Sequence, residues 1–191
     1  MDVSRLLLAV LVICLPSLEG VSLRHEEAST SPREATACNL LKEPTAWNHV
    51  RVRVTAVATH GFEDFSLSSP ACEGSQKAIW LTYGGRANSE TIYCCPGEGE
   101  ESLRAEPLVL EGVTLALVED ATFNRFRERL RKHPRVAVRM TVVGTFFAGA
   151  QTPAGWGGFG HLGCCSLLVI ERVEQFQEMG NAPENGGNRR R

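Results

Sequence analysis

The sequence has no strong excess of charge of either sign. Lysine and arginine number 20 against 22 aspartate and glutamate residues, which gives a formal net charge of −2 at pH 7. A nucleic-acid-binding protein of this size usually carries a basic excess, because neutralising phosphates supplies much of its affinity. The balance of charge therefore weighs against DNA or RNA as a partner.

The chain also lacks an apolar run long enough to cross a membrane, which takes about 20 residues in a helix. The run at 6–15 is shorter, follows Arg5 and is ended by Pro16. This pattern predicts a signal peptide over residues 1–22, so the mature chain would be periplasmic or extracellular and carry no transmembrane segment. A lipoprotein anchor at Cys14 is less favoured, because Ile13 stands where that signal needs Gly or Ala.

No motif of an enzyme class is present. The sequence has no H-E-x-x-H pattern, no P-loop, and no serine or cysteine in a nucleophile motif. The glycine-rich run at 157–160 leads into a strand pattern rather than a helix, which weighs against phosphate binding. These absences favour a binding or interaction module, and we predict no cofactor.

Cysteine, in contrast, is well represented. Besides Cys14 there are six cysteines: Cys38, Cys72, Cys94, Cys95, Cys164 and Cys165. An even number in an exported chain favours disulfides over free thiols. Zinc is the alternative, but none of the cysteines has the C-x2-C spacing that presents two ligands from one turn, so we predict no metal site.

Alternating apolar and polar residues predict five strands. The first three are expected at 49–59, 63–68 and 78–83, and two more at 135–147 and 164–173. Between the two groups, Asp120 is a plausible N-cap for a helix that runs to residue 133. The apolar face of this helix consists of Phe123, Phe126 and Leu130.

Three strands, a helix and two strands are the order of the OB-fold, a five-stranded Greek-key barrel. The alternative is a small β-sandwich with an inserted helix. We expect the mainly β barrel domain over 38–179, a flexible N-terminal arm over 23–37 and a disordered tail over 180–191. The last two segments are polar and have few apolar residues to anchor them.

Several segments resemble a family of small exported bacterial proteins of uncharacterised function. These are CNLLKEPTAWNHVRVRVTAVATHGFEDFSL, IWLTYGG and GFGHLGCCSLLVIERV, and the resemblance covers most of 38–173. It implies an OB-like barrel in a bacterial cell envelope, and it implies no activity. The cysteine pairs at 94–95 and 164–165 are additional to the family pattern.

The barrel topology also predicts which cysteines lie near each other. Cys38 and Cys72 would lie at one end of the barrel, and we predict a disulfide between them. The pairs at 94–95 and 164–165 would both lie near the other end, so we predict that these two pairs bond with each other.

The candidate binding site consists of two loops that carry glycine, aromatic residues and histidine. In the OB-fold, the loop between strands one and two and the loop between strands four and five contact oligonucleotides and oligosaccharides. Here these loops span 60–64 and 151–162, and we expect them to form one mouth for a small ligand, a glycan or a protein partner. The candidate contact residues are His60, Phe62, Glu63, Asp64, Trp156, Phe159 and His161.

Two other interpretations of these loops remain open. In the first, Phe62 and Phe159 have only a structural role and close the mouth of the barrel. An envelope hydrolase would use His60 or His161 as a general base beside a carboxylate. The absence of a nucleophile motif makes the hydrolase the weaker hypothesis.

Overall fold

The computed structural model of the chain describes residues 31–61, 64–68, 72, 78–89, 92–93, 103–133, 136–149 and 157–179. The strands are β1 (Arg33–Ala35), β2 (Arg51–Gly61), β3 (Asp64–Ser68), β4 (Ala78–Tyr83), β5 (Val109–Leu110), β6 (Val113–Thr114), β7 (Val136–Phe147) and β8 (Ser166–Met179). The helices are α1 (Ala37–Lys42) and α2 (Ala121–Lys132), with short 3-10 turns at Pro44–Trp47 and His161–Gly163.

Five of these strands form a closed barrel. Their order is β2, β3, β4, β8, β7 and back to β2; β4 and β8 are parallel, and the other pairs are antiparallel. The helix α2 lies in the chain between the third and fourth barrel strands, β4 and β7. This is the predicted OB-like barrel, and the closing β2–β7 pairing distinguishes it from the sandwich alternative.

The length of β2 explains how the barrel closes, because this strand pairs with a different neighbour at each of its edges. β2 has 11 residues, and it pairs with β7 over Arg51–His60 and with β3 over Val57–Gly61. Val52 and Val54 are buried while Arg51 and Arg53 are half-exposed. One face therefore enters the core and the other faces solvent, as the alternating sequence predicted.

The helix α2 forms where the sequence predicted it. The Asp120 carboxylate accepts hydrogen bonds from the backbone N–H groups of Thr122 and Phe123, both at 2.9 Å. Phe123, Phe126 and Leu130 are buried against the barrel core, and Phe123 meets the ring of Tyr83 edge-on at 5.2 Å. An N-cap and one apolar face are thus enough to position this helix.

The last part of the predicted flexible arm forms regular structure. β1 pairs in parallel with Val52–Val54 of β2, and α1 begins at Ala37. The reason is that β3 pairs with β2 only from Val57 onward, which leaves the earlier edge of β2 open for β1. Residues 23–30 of the expected arm, the predicted signal peptide and the predicted C-terminal tail lie outside the described residues.

Two hydrophobic clusters occupy opposite sides of the barrel wall. We call the cluster inside the barrel the inner core and the one on its outside the outer cluster. In β4, Ile79 and Leu81 enter the inner core while Trp80 enters the outer cluster, because successive residues of a strand point to opposite faces. The outer cluster contains Trp80, Leu108, Leu110, Leu115, Phe147, Phe159, Cys165, Leu167 and Val169.

The outer cluster is covered by two features that the strand patterns did not predict in full. One is the β5–β6 hairpin, for which no strand was predicted. The other is the segment 157–165 that precedes β8. Both bring apolar side chains against the outer face of β4, β7 and β8, so this part of the barrel wall is buried on both faces.

Candidate functional site

The predicted bridge between Cys38 and Cys72 is present. Its Cα atoms are 5.5 Å apart, and it joins α1 to the chain between β3 and β4. The bridge closes a loop over a sequence separation of 34 residues. It therefore fixes α1 to the barrel.

The second predicted pairing is wrong for Cys164 and Cys165, which are bonded to each other. The prediction rested on both cysteine pairs lying near the same end of the barrel, with strand five beginning at Cys164. Instead Cys164 has a helical backbone, with φ of −71° and ψ of −24°, and β8 begins at Ser166. Both sulfur atoms can therefore lie on one side of the chain. Cys94 and Cys95 lie outside the described residues.

At the first loop, the described ends of β2 and β3 are held together by hydroxyl groups. Asp64 begins β3, opposite Gly61. Its two carboxylate oxygens accept hydrogen bonds from the hydroxyl groups of Thr59 at 2.5 Å and Ser66 at 2.6 Å. Asp64 thus joins the two strands of the hairpin on the outer face of the barrel.

His60 lies on the other side of the same hairpin. It pairs with Phe65 in the ladder, and the two rings meet edge-on at 5.4 Å. Phe65 is part of the inner core. His60 is therefore at the rim of the barrel interior, whereas Asp64 is on the outer face.

The described part of the second loop, from residue 157 onward, folds back over the outer face of β4. Its backbone makes hydrogen bonds from Gly158 N–H to Gly163 O at 3.0 Å and from Gly163 N–H to Gly160 O at 3.0 Å. Gly160 lies so close to Trp80 that a Cβ atom at this position would be 2.7 Å from Trp80 Cε3. Only glycine allows this approach, and Trp80 is left 4% exposed.

Asp64 and the second loop therefore share one face. Ser66, which bonds to Asp64, is the ladder partner of Trp80, and Trp80 lies under Gly160. In OB-fold proteins the outer face of strands two and three, here β3 and β4, is the ligand-binding face. The described residues bring Asp64 and the second loop to this outer face. His60, in contrast, points toward the interior of the barrel.

Two of the candidate contact residues, Phe159 and His161, belong to the described part of the second loop. Phe159 is buried in the outer cluster, where its ring lies 6.4 Å from that of Phe147. His161 begins the 3-10 turn and is half-buried. Phe159 is thus neither an exposed contact residue nor a plug of the barrel mouth, because it lies outside the barrel wall.

Among the described residues, the exposed aromatic side chain is that of Tyr93, which the sequence reasoning missed. Its ring stacks on Phe159 at 6.1 Å with an interplanar angle of 25°, and the residue is 67% exposed. The preceding residue is tied to the loop, because Gly160 N–H donates to the carbonyl of Ile92 at 2.9 Å. Local sequence offers no signal for this contact, since Tyr93 and Phe159 meet only through the fold.

We use the name loop surface for the exposed residues Tyr93, Leu162 and Cys164, together with the buried ring of Phe159 on which Tyr93 stacks. Leu162 is 58% exposed and Cys164 is also exposed. The surface is apolar, and the outer cluster supports it from below. The remaining candidate residues, Phe62, Glu63 and Trp156, lie outside the described residues, so the single mouth stays a prediction.

Arg104 holds the chain that follows β4. Its Nη1 donates to the carbonyl oxygens of Tyr83, at 3.0 Å, and Ala87. Burial lowers the pKa of the Arg104 guanidinium. Since the carbonyl groups sit on both sides of Gly84 and Gly85, Arg104 fixes the turn that leads toward Tyr93.

A different, polar surface covers the outer face of β2, β7 and β8. Arg51 pairs with Glu171 at 2.7 Å, and Arg53 pairs with Glu174 at 2.5 Å, which raises the pKa of the Arg53 guanidinium. Next to these pairs lies a shallow groove of about 310 Å³. Its lining residues are Thr55, Arg139, Met140, Thr141, Gln175, Phe176 and Gln177, none of which belongs to the loop surface.

Two negative findings apply to the described part of the chain. It contains no group of three or more His, Cys, Asp or Glu side chains placed to hold a metal ion. It also contains no helix that is long and apolar enough to span a membrane.

Comparisons with protein-family models, with curated proteins and with solved structures found no match to this chain. The class of the protein therefore follows from its fold, which is an OB-like barrel.

Proposed function

We propose that the chain is an exported binding module of the bacterial envelope, whose ligand contacts the loops at 60–64 and 151–162. The observation that carries this proposal is the exposed ring of Tyr93, which is stacked on the buried ring of Phe159 beside the second loop. A large exposed aromatic ring on a fixed support is a typical contact for a ligand.

The position of the loop surface supports the same function. The loop lies over Trp80 on the outer face of β4, next to Ser66 of β3. This is the face with which OB-fold proteins bind oligosaccharides and oligonucleotides. The net charge of −2 weighs against oligonucleotides, so we favour a glycan.

Export is supported by the signal-peptide pattern at 1–22 and by the two disulfides at Cys38–Cys72 and Cys164–Cys165. Disulfides persist in oxidising compartments such as the periplasm. The resemblance to small exported bacterial proteins supports the same setting.

Binding would be tested on the purified mature chain with chitotetraose as the probe, because bacterial envelope glycans contain N-acetylglucosamine. We expect Tyr93→Ala to weaken binding at least tenfold in calorimetric titration. Val109→Ala is the matched control, because Val109 is also a largely exposed apolar residue, at 58%, but lies on the β5–β6 hairpin. Equal binding by the wild-type protein and by Tyr93→Ala would contradict the proposal.

A further inference from the structure

We propose that the Cys164–Cys165 disulfide is a reducible latch, which a dithiol reductant opens and which thereby controls the loop surface. This inference rests on the proposed function, since it concerns the regulation of the same binding surface. It identifies a redox modification site and the chemical class of its reactant.

The two sulfur atoms belong to residues in different environments. Cys164 is exposed, whereas Cys165 is 6% exposed and belongs to the outer cluster. Thiol–disulfide exchange depends on access to the sulfur that is attacked. A reductant thiolate can therefore reach Cys164 Sγ, with Cys165 Sγ as the leaving group.

The reaction balances with one dithiol. Its first thiolate attacks Cys164 Sγ, a mixed disulfide forms, and the Cys164–Cys165 bond breaks to leave the Cys165 thiolate. The second thiolate of the reductant then attacks the reductant's own sulfur in the mixed disulfide and releases the Cys164 thiolate. Two electrons pass to the protein, two protons restore both thiols, and the reductant becomes a disulfide.

Cys165 is coupled to the loop surface through the backbone. Phe159 N–H donates to Cys165 O at 2.8 Å, and Cys165 N–H donates to Phe159 O at 3.1 Å. Gly158 lies against the same residue, because a Cβ atom there would be 2.5 Å from the Cys165 carbonyl oxygen. Any change in the backbone of Cys165 therefore displaces Phe159, which supports the ring of Tyr93.

The loop contains a backbone conformation that needs such support. Leu162 has φ of 59° and ψ of 21°, in the left-handed region that leucine rarely adopts. It lies only two residues before the disulfide, which closes a small ring around the Cys164–Cys165 peptide bond. Opening this ring frees the backbone of both cysteines, so the loop can relax away from Trp80.

Amide hydrogen exchange of the mature chain, with and without dithiothreitol, tests the latch directly. In the reduced protein we expect the amides of Phe159, Gly160 and Cys165 to exchange at least tenfold faster. The amides of Val54 and Val142 in the barrel ladder should keep their rates when the comparison is made in the Cys38→Ser/Cys72→Ser background, where the reductant cannot remove the other bridge. Unchanged rates in a chain whose Cys164 and Cys165 are shown by alkylation to be reduced would overturn the proposal.

Two double variants separate this bridge from the other one. Cys164→Ser/Cys165→Ser should reproduce the faster exchange without any reductant. Cys38→Ser/Cys72→Ser is the control, and it should leave the exchange of 157–165 unchanged. If the control variant loosened the loop as much as the Cys164→Ser/Cys165→Ser variant, loss of overall stability would explain the effect and the latch would be rejected.

The outcomes for the latch and for the binding function can be told apart. If Tyr93→Ala binds chitotetraose as the wild type does, the binding function at this surface fails, whatever the exchange rates show. If Tyr93→Ala loses binding but reduction changes neither exchange nor affinity, only the latch fails. We expect reduction to lower the affinity at least fivefold.

Discussion

Phe159 and Cys165 are joined by two reciprocal backbone hydrogen bonds, at 2.8 and 3.1 Å, although neither residue lies in a regular strand. This isolated bridge brings the second loop back onto the start of β8. It places Phe159 in the outer cluster and Gly160 over Trp80. The bridge is therefore the reason why the loop has a defined position on the barrel.

The disulfide pattern gives the first prediction. Non-reducing peptide mapping of the exported protein should show Cys38 linked to Cys72 and an internal bond between Cys164 and Cys165. The loss of the first bridge should cost about 2–4 kcal/mol of unfolding free energy, because it closes a long loop in the unfolded chain. Free thiols at these four positions would contradict the pattern and would revive zinc as an alternative.

The contact between Gly160 and Trp80 gives the second prediction. Gly160→Ala should lower the free energy of unfolding by about 2–5 kcal/mol, because the new methyl group would overlap the indole and φ is +74°. Gly112→Ala is the matched control: φ is +80° there, but nothing lies within 4 Å of the new methyl group. This variant should cost only about 1 kcal/mol. If urea denaturation gave the same loss of unfolding free energy for both variants, the Trp80 ring would have moved aside without destabilising the protein.

The fold was predictable because its signals are local and repeated. The alternation in β2 and the N-cap at Asp120 each specify one element, and the order of the elements then specifies an OB-like barrel. β1 was not predictable, because its polar sequence has no strand pattern and it forms only on the open edge of β2. The β5–β6 hairpin was not predicted either, because a strand of two residues is too short to show an alternating pattern.

The candidate site was predictable only in part. The glycine pattern correctly drew attention to the loop around Phe159, because close backbone approach requires glycine at positions such as Gly160. Sequence could not show that Phe159 is buried or that Tyr93 is its exposed partner, since they are far apart in the chain. It also could not show the bond between Cys164 and Cys165, which depends on the helical backbone of Cys164.

The N-cap of α2 gives the third prediction. Asp120→Ala should lower the free energy of unfolding by about 1 kcal/mol, because two backbone N–H groups lose their acceptor. Glu119→Ala is the control: this neighbouring residue is also exposed and contributes only its backbone carbonyl to a hydrogen bond. Thermal unfolding should show a lower midpoint for the first variant alone. A similar decrease in both would indicate a general effect of lost negative charge.

The single mouth formed by the two loops gives the last prediction. Titration of the mature chain with chitotetraose should shift the amide resonances of 60–64 and of 157–162 together, because Asp64 and Gly160 approach the same outer face of the barrel. Trp156→Ala should weaken binding by about 1–3 kcal/mol and change the unfolding free energy by less than about 0.5 kcal/mol. Shifts confined to one loop would show that the loops act separately, and a large loss of stability would show that Trp156 is part of the core.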